Sequence, residues 1–139
     1  MGRVLGVDWG KHRVGLALSD ETRTICRPLP TLTDLTKRDL VAEIVSITRR
    51  EGVDTVVVGH PVRMSGEAGP SAHAAGHLAD AIAAGDTTLR VLLWDERLTS
   101  REAAEILHER GEKTRKGSGR LDQVAAAVLL QSYLDSEGP

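Results

Sequence analysis

The chain opens with two short runs of strand-forming residues on either side of a polar turn. Residues 4–7 are mostly Val and Leu, and residues 14–19 alternate large aliphatic with small side chains. Such runs are typical of β-strands, and Gly-Lys-His at 10–12 supplies the reversal between them. The pattern predicts an antiparallel hairpin.

Strand and helix patterns then alternate along the first half of the chain. Residues 24–30 predict a third strand, which its two prolines confine to the edge of a sheet. Residues 36–52 predict a helix, because a sequence resembling a capping box opens it and a glycine closes it. The all-apolar residues 55–58 predict a strand in the middle of a sheet.

The second half predicts one further strand and three helices. Pro70 suits the first turn of an alanine-rich helix reaching about Ala84, and residues 89–94 predict another buried strand. A second capping box predicts a helix over about 100–110, closed by a glycine. The last helix is predicted over about 121–135, with its core face formed by Leu121, Val124, Ala125, Val128 and Leu129.

This order of elements predicts the architecture. Three antiparallel strands followed by helix, strand, helix, strand and helices indicate one α/β domain over residues 1–139, with a mixed sheet and helices on its faces. The later strands are expected to run parallel to the first strand through right-handed crossovers. Their carboxyl ends then lie along one edge of the sheet, where open α/β sheets bind ligands.

Asp8 interrupts the first strand just before that strand ends. An ionised carboxylate is costly to bury alone, so Asp8 is expected to have a partner, a cation or a water-filled cleft. Gly6 and Gly15 lie nearby, and their missing side chains would let a ligand or another backbone approach. The alternative is an ordinary turn aspartate at a strand end.

Further acidic residues lie at the end of a later predicted strand and at the start of the last predicted helix. Asp95 and Glu96 end the strand after Trp94, and Asp122 starts the final helix. Three carboxylates converging on one cleft would repel each other, and two divalent cations would relieve that repulsion. Two metals about 3.5–4 Å apart are the recurring apparatus for in-line attack of water on a phosphodiester. The pattern does not choose between Asp95 and Glu96, and each acid could instead be a solvated loop or helix-start residue.

A locally basic segment lies between the second and third groups of acids. It suits contacts with the phosphates of a nucleic acid, although a solvated helix face and loop would have the same composition. Lys11 and Arg13, in and after the first turn, are further candidates for such contacts. The basic residues of the segment are Arg97, Arg101, Arg110, Lys113, Arg115, Lys116 and Arg120.

Composition narrows the class of protein. Hydrophobic residues at 40% and charged residues at 27% are typical of a globular protein. With two Trp, one Tyr and no Phe, a base-stacking platform of exposed rings is disfavoured. One cysteine excludes an internal disulfide, which fits a reducing compartment. No signal peptide or apolar run near 20 residues is evident, so a cytoplasmic protein without a membrane partner is expected.

The histidines are weak candidates for a metal site. His73 and His77 lie four residues apart, but Ala follows His73 where the zinc motif His-Glu-x-x-His requires Glu. Both are therefore expected on the protein surface. His60, at the end of a strand, is the one histidine placed to face the cleft.

Taken together, the motifs resemble the YqgF/RuvX family of bacterial RNase H-like proteins. The resemblance covers essentially the whole chain. In chain order, its motifs are Gly6-Val7-Asp8-x-Gly10, Val14-Gly15-Leu16-Ala17-Leu18-Ser19-Asp20, Val57-Val58-Gly59-x-Pro61, Asp95-Glu96-Arg97-Leu98-Thr99 and Leu121-Asp122-x-x-Ala125-Ala126.

The resemblance implies a fold, an activity and a site. It implies an RNase H-like fold and a nuclease that processes the 5′ end of the small-subunit ribosomal RNA precursor, or a Holliday junction resolvase. It implies Asp8, Glu96 and Asp122 as catalytic acids that bind Mg²⁺ or Mn²⁺, and so favours Glu96 over Asp95. Trp9 departs from the family pattern, in which Pro or Tyr is commoner. Two roles are open for Trp9, packing at the strand end or stacking on a base.

The leading hypothesis is therefore a two-metal endonuclease acting on structured RNA, as a monomer or a homodimer. Branched or single-stranded DNA is the alternative substrate, and symmetric cutting of a four-way junction would require a dimer. A nucleotide-binding fold of the actin/Hsp70 kind is disfavoured, because it needs two such domains. A non-catalytic RNA-binding scaffold is the remaining hypothesis, and it would bind nucleic acid without turnover.

Overall fold

A computed structural model of the chain describes residues 2–61, 69–95 and 119–137, with the backbone alone for 119–122. Five strands and three helices lie in these ranges. They are β1 (Arg3–Asp8), β2 (Arg13–Ser19), β3 (Cys26–Thr33), α1 (Lys37–Glu51), β4 (Val53–His60), α2 (Pro70–Gly85), β5 (Arg90–Asp95) and α3 (Gly119–Glu137).

The strands form one mixed sheet in the order β3-β2-β1-β4-β5. The first three strands are antiparallel neighbours, and β4 and β5 run parallel to β1. This is the predicted arrangement, including the interior position of β4, between two other strands, and the edge position of β3. The carboxyl ends of β1, β4 and β5 consequently lie along the same edge of the sheet.

Helices cover both faces of the sheet, as predicted. Helices α1 and α2 pack on one face over a cluster that includes Leu5, Val7 and Ile44. Helix α3 packs on the other face over a second cluster that includes Val4 and Leu130. These faces are called the α1/α2 face and the α3 face below.

Local signals explain where α1 begins and ends. The hydroxyl oxygen of Thr36 accepts a hydrogen bond from the backbone N–H of Asp39 at 3.1 Å, as an N-cap does. Gly52 adopts φ 67°, a left-handed conformation that glycine tolerates best, and its N–H donates to the carbonyl of Thr48. Both ends match the prediction from the capping pattern.

Two predictions about the later elements were wrong in detail. Strand β5 is not fully buried, because it lies at the end of the described sheet beside β4 alone, and Leu93 is 41% exposed. Helix α3 is described over Gly119–Glu137, which agrees with the predicted range of about 121–135, and Gly119 and Arg120 belong to it as well. Ala125 is half-buried, whereas Val124, Val128 and Leu129 are buried as predicted. The predicted helix over 100–110 lies outside the described residues.

None of the helices in the described ranges combines the length and apolarity needed to cross a bilayer.

Candidate functional site

Asp8 is the last residue of β1 and lies on the α3 face. Successive side chains of a strand point to opposite faces. Leu5 and Val7 belong to the cluster under α1 and α2, whereas Val4 belongs to the cluster under α3. Asp8 therefore shares the α3 face with Val4 and Gly6, and it is half-buried there. The prediction that Asp8 ends the first strand is confirmed.

Gly6 allows α3 to lie close to β1. A Cβ atom placed on Gly6 would lie 2.9 Å from Cβ of Leu130 and 3.3 Å from the carbonyl oxygen of Ala126. Real Cβ atoms hardly ever approach another atom as closely as the first of these distances. The missing side chain thus makes room for the backbone of a helix, one of the two approaches predicted from the sequence.

Contacts at the far end of α3 show which way the helix runs. The guanidinium of Arg23 donates from Nε to the carbonyl of Gly2 at 2.8 Å and lies 3.5 Å from the carboxylate of Glu137. The end of α3 is therefore at the beginning of β1, while Ala126 lies against Gly6 in the middle of that strand. Helix α3 runs antiparallel to β1, and its first turn lies toward the carboxyl end of β1.

This direction brings the backbone at residue 122 toward the end of β1 that carries Asp8. Four helical residues, from Ala126 back to Asp122, advance about 6 Å along the helix axis. Two strand residues, from Gly6 to Asp8, advance about 7 Å in the same direction. Because only the backbone of residues 119–122 is described, the role of the Asp122 side chain stays a prediction.

Asp95 lies at the same edge of the sheet but on the opposite face. Trp94 packs into the cluster under α3, and its indole N–H donates to the hydroxyl of Ser132 at 3.3 Å. The next residue, Asp95, points to the α1/α2 face by strand alternation and pairs in register with His60 of β4. Two strand spacings, about 10 Å, separate β1 from β5. The side chains of Asp8 and Asp95 thus point to opposite faces of the sheet. Glu96 lies outside the described residues.

The predicted nucleic-acid contacts are described only in part. Lys11, in the β1–β2 turn, and Arg13, the first residue of β2, are both exposed. Arg120 lies in the first turn of α3, where the backbone alone is described. The remaining basic residues of the predicted segment lie outside the described ranges: Arg97, Arg101, Arg110, Lys113, Arg115 and Lys116.

The histidines do not form a metal site in the described part of the chain. His73 and His77 are exposed on α2, as predicted. His60 is half-buried and lies on the α1/α2 face with Asp95, away from the face of Asp8. No group of three or more His, Cys, Asp or Glu side chains suited to a metal occurs among the described residues.

A cavity beside Trp9 is the feature that sequence reasoning missed. It has a volume of about 350 Å³ and lies on the α1/α2 face, against the β1–β2 turn. The half-buried indole of Trp9 packs on the core of that face, which confirms its packing role, and it also lines the cavity. The available signal was a tryptophan next to a strand end, but the opposite wall comes from α1 and α2, which sequence spacing does not place.

Comparison with known proteins gives a family and a set of close relatives. Residues 2–136 match the family model RuvX, described as Holliday junction resolvase. The "Putative pre-16S rRNA nuclease" of Chloroflexus aurantiacus is 39% identical over 133 residues, which are 96% of this chain and 86% of that protein. The protein of the same name from Anaeromyxobacter dehalogenans (strain 2CP-1) is 41% identical over 137 residues, 99% of each chain.

Solved structures show the same fold at much lower sequence identity. The Thermus thermophilus RuvC in complex with a Holliday junction substrate superposes with a TM-score of 0.60 at 18% identity, covering 99% of this chain and 97% of RuvC. The fowlpox virus resolvase in complex with Holliday junction DNA superposes with a TM-score of 0.60 at 14% identity, covering 99% of each chain. The predicted RNase H-like fold is confirmed by this likeness.

Proposed function

The chain belongs to the RuvX family, and we propose that it is a divalent-metal-dependent nuclease that processes the 5′ end of precursor 16S ribosomal RNA. The substrate is that of its relatives, which are named for it and align along nearly the whole chain. One structural observation carries the proposal. Asp8 ends β1 on the face that α3 covers, and the first turn of α3 lies toward the same end of that strand.

Asp8, Glu96 and Asp122 are the acids proposed to hold the metal ions. All three are carboxylates, and hard oxygen ligands suit Mg²⁺ and Mn²⁺. When bound, a pair of such ions supplies an activated water and stabilises the charge on the leaving oxygen. Asp8, on the central strand β1, would hold the ions together with the other two acids.

The position of Asp95 supports the choice of Glu96. Asp95 points to the α1/α2 face, so it is on the opposite side of the sheet from Asp8. Adjacent strand residues alternate in direction, and an acid that cooperates with Asp8 must act on the α3 face. We therefore propose Glu96 rather than Asp95 as the second acid.

The exposed cations in and just after the β1–β2 turn are proposed to bind the substrate backbone. Lys11 and Arg13 follow Asp8 across the β1–β2 turn, and phosphate contacts from lysine and arginine position a nucleic acid without reading its sequence. Lys113, Arg115, Lys116, Arg120 and Arg97 are proposed as further phosphate contacts.

The test compares wild type with Asp8→Asn, Glu96→Gln and Asp95→Asn on labelled precursor ribosomal RNA, with Mg²⁺, Mn²⁺ or EDTA. We expect cutting that needs the metal, and a loss of at least about 100-fold in Asp8→Asn and Glu96→Gln, because each removes a metal-binding charge. Asp95→Asn is the matched control, an acid at the same sheet edge on the other face, and it should keep the wild-type rate within about threefold. Equal cutting by wild type and Asp8→Asn would overturn the proposal.

Holliday junction cleavage is the second candidate function, favoured by the family description and by the fold shared with two resolvases. Symmetric cutting of both strands would require two active sites, and thus a homodimer. A four-way DNA junction in the same assay, with sedimentation to give the oligomeric state, separates the two functions. Preferential, paired cutting of the junction by a dimer would favour the resolvase. Binding of both substrates without cutting would instead favour a non-catalytic scaffold.

A further inference from the structure

The cavity beside the β1–β2 turn has the size and the lining of a ligand site. Its volume of about 350 Å³ lies within the range of small-molecule pockets in proteins. Its walls come from the β1–β2 turn, the end of β3, the start of α1 and the middle of α2. Four separate elements thus enclose a space that the hydrophobic core leaves unfilled.

The inner wall of the cavity is apolar and includes an aromatic ring. Trp9, Leu32, Leu40 and Leu78 line it, and all four also contribute to the core of the α1/α2 face. Leu35 lies in the lining as well and is 43% exposed, so it adds apolar surface at the mouth of the cavity. A flat, apolar ligand would cover this surface and could stack on the indole.

Cations predominate at the polar part of the lining. Lys11 and Lys37 both line the cavity, and the one carboxylate in the described part of the lining, Asp34, lies 3.4 Å from Nδ1 of His12. Lys37 is the first residue of α1, where the positive end of the helix dipole disfavours a lysine and favours an anion. The rim is therefore complementary to a negatively charged group attached to a flat apolar one.

We propose that this cavity binds one unpaired nucleotide of the nucleic-acid substrate, with the base against Trp9 and the adjacent phosphate between Lys11 and Lys37. The proposal rests on the proposed nuclease function and adds a determinant of substrate choice to it. Trp9 follows Asp8 directly at the end of β1, but the two side chains lie on opposite faces of the sheet, so a bound strand would cross the sheet edge between the cavity and the proposed acids. The enzyme consequently selects sites with an unpaired base near the scissile phosphate, and a continuous duplex does not fill the cavity.

The first test fills the cavity. Ala74→Leu adds a large side chain to the α2 wall, and Ala84→Leu makes the same change at an exposed position of the same helix outside the cavity. Binding of labelled single-stranded RNA and DNA is measured in EDTA, so that cutting does not interfere. We expect Ala74→Leu to weaken binding between about 5-fold and 150-fold, the range for loss of one stacked base. Ala84→Leu should bind as wild type does, and equal affinities for the two variants would overturn the proposal.

The second test observes the ring itself. In Trp94→Phe, Trp9 is the one remaining tryptophan, so its fluorescence reports on the cavity alone. We expect quenching on addition of a single-stranded oligonucleotide, and much weaker quenching when abasic nucleotides replace its bases. Equal quenching by both oligonucleotides would mean that the cavity binds phosphate without the base, and would refute the proposal. Lys37→Met should weaken binding of both oligonucleotides.

The two proposals fail in different ways. If Asp8→Asn abolishes cutting while Ala74→Leu binds like wild type, the nuclease stands and the nucleotide pocket is refuted. If no substrate is cut but Trp9 is quenched and Ala74→Leu loses binding, the pocket stands as a single-strand binding site without the proposed activity.

Discussion

The two faces of the sheet are packed with residues of different size. On the α1/α2 face the buried side chains are mostly Leu, Ile and Val, including Leu16, Ile44 and Ile82. On the α3 face, small residues such as Ala17 and Ala126 lie at the contact, and Gly6 presents no side chain at all. One face therefore buries more apolar volume per residue, whereas the other allows a closer approach of helix and sheet.

This difference puts the larger share of the buried aliphatic volume on the face opposite the proposed acids. Burial of large aliphatic side chains contributes most of the hydrophobic free energy of folding, so the α1/α2 face is the main source of stability. The close approach on the α3 face holds the first turn of α3 toward the end of β1 that carries Asp8. Substitutions on the α1/α2 face should therefore mainly lower the free energy of unfolding, whereas substitutions on the α3 face should mainly lower the cutting rate.

The largest expected effect on stability comes from truncation on the α1/α2 face. Ile44 is fully buried in α1, and Ile44→Ala should lower the free energy of unfolding by about 2–5 kcal/mol, because it removes buried methyl groups and leaves a cavity. Urea unfolding measures this change. The cutting rate per folded molecule should stay near wild type, since neither α3 nor β1 is altered. A large loss of rate in fully folded protein would show that the faces are not separable.

A smaller loss of stability with a larger loss of activity is expected on the α3 face. Gly6→Ala places a Cβ 2.9 Å from Cβ of Leu130, so α3 must shift away from β1. Overpacking of this kind costs about 1–3 kcal/mol of unfolding free energy. The cutting rate should fall by more than in Ile44→Ala, because the displaced helix carries Asp122.

Gly76→Ala is the matched control for the same substitution. Gly76 lies inside α2, and a Cβ placed there meets no atom within 4 Å. The variant should raise the free energy of unfolding by about 0.5–1 kcal/mol, since alanine loses less backbone entropy in a helix. A decrease in activity for Gly76→Ala equal to that for Gly6→Ala would remove the distinction between the faces.

The smallest effect concerns the opposite end of the sheet. Asp54 at the start of β4 accepts a hydrogen bond from the N–H of Gly2 at 2.8 Å and pairs with Arg23. Partial burial acts to raise the pKa of Asp54, but hydrogen bonds from Gly2 and Thr55 and the charge of Arg23 outweigh it, so the pKa lies below its ordinary value of 3.8. Its contribution to stability is therefore present above pH 3.8 and is lost as the pH falls through the lowered pKa.

Asp54→Asn should accordingly make the free energy of unfolding depend less steeply on pH in the acid range. Because the Asp54 side chain is 46% exposed, solvent screening keeps the expected change at neutral pH below about 1 kcal/mol. Urea unfolding at neutral pH and at pH values below 3.8 measures it. A wild-type and a variant curve that stay parallel through the acid range would contradict the assignment.

Features with local signals were predictable from the sequence. The hairpin of β1 and β2, the N-cap Thr36 and the left-handed Gly52 each depend on a few neighbouring residues, so short patterns sufficed. The order of strands followed from the order of elements and general rules of connection. The place of Asp8 at a strand end followed in the same way.

Features made by distant segments were not predictable. The exposure of β5 depends on which strands flank it, and the cavity beside Trp9 needs walls from α1 and α2. Pattern alone also left Asp95 and Glu96 as equally good candidates for the second acid. The face to which each side chain points depends on the register of β4 with β5 and on the packing of Trp94. The contact of Arg23 with Glu137 joins residues more than one hundred positions apart in the chain.

The placement of α3 also has a consequence for biosynthesis. Helix α3 is made after every other described element, yet it covers β1, the first strand to be made. Until residues 119–137 have been synthesised, the side of β1 that bears Asp8 lacks the helix that covers it. The proposed acid site can therefore form only after residues 119–137, the last of the described elements, have been synthesised.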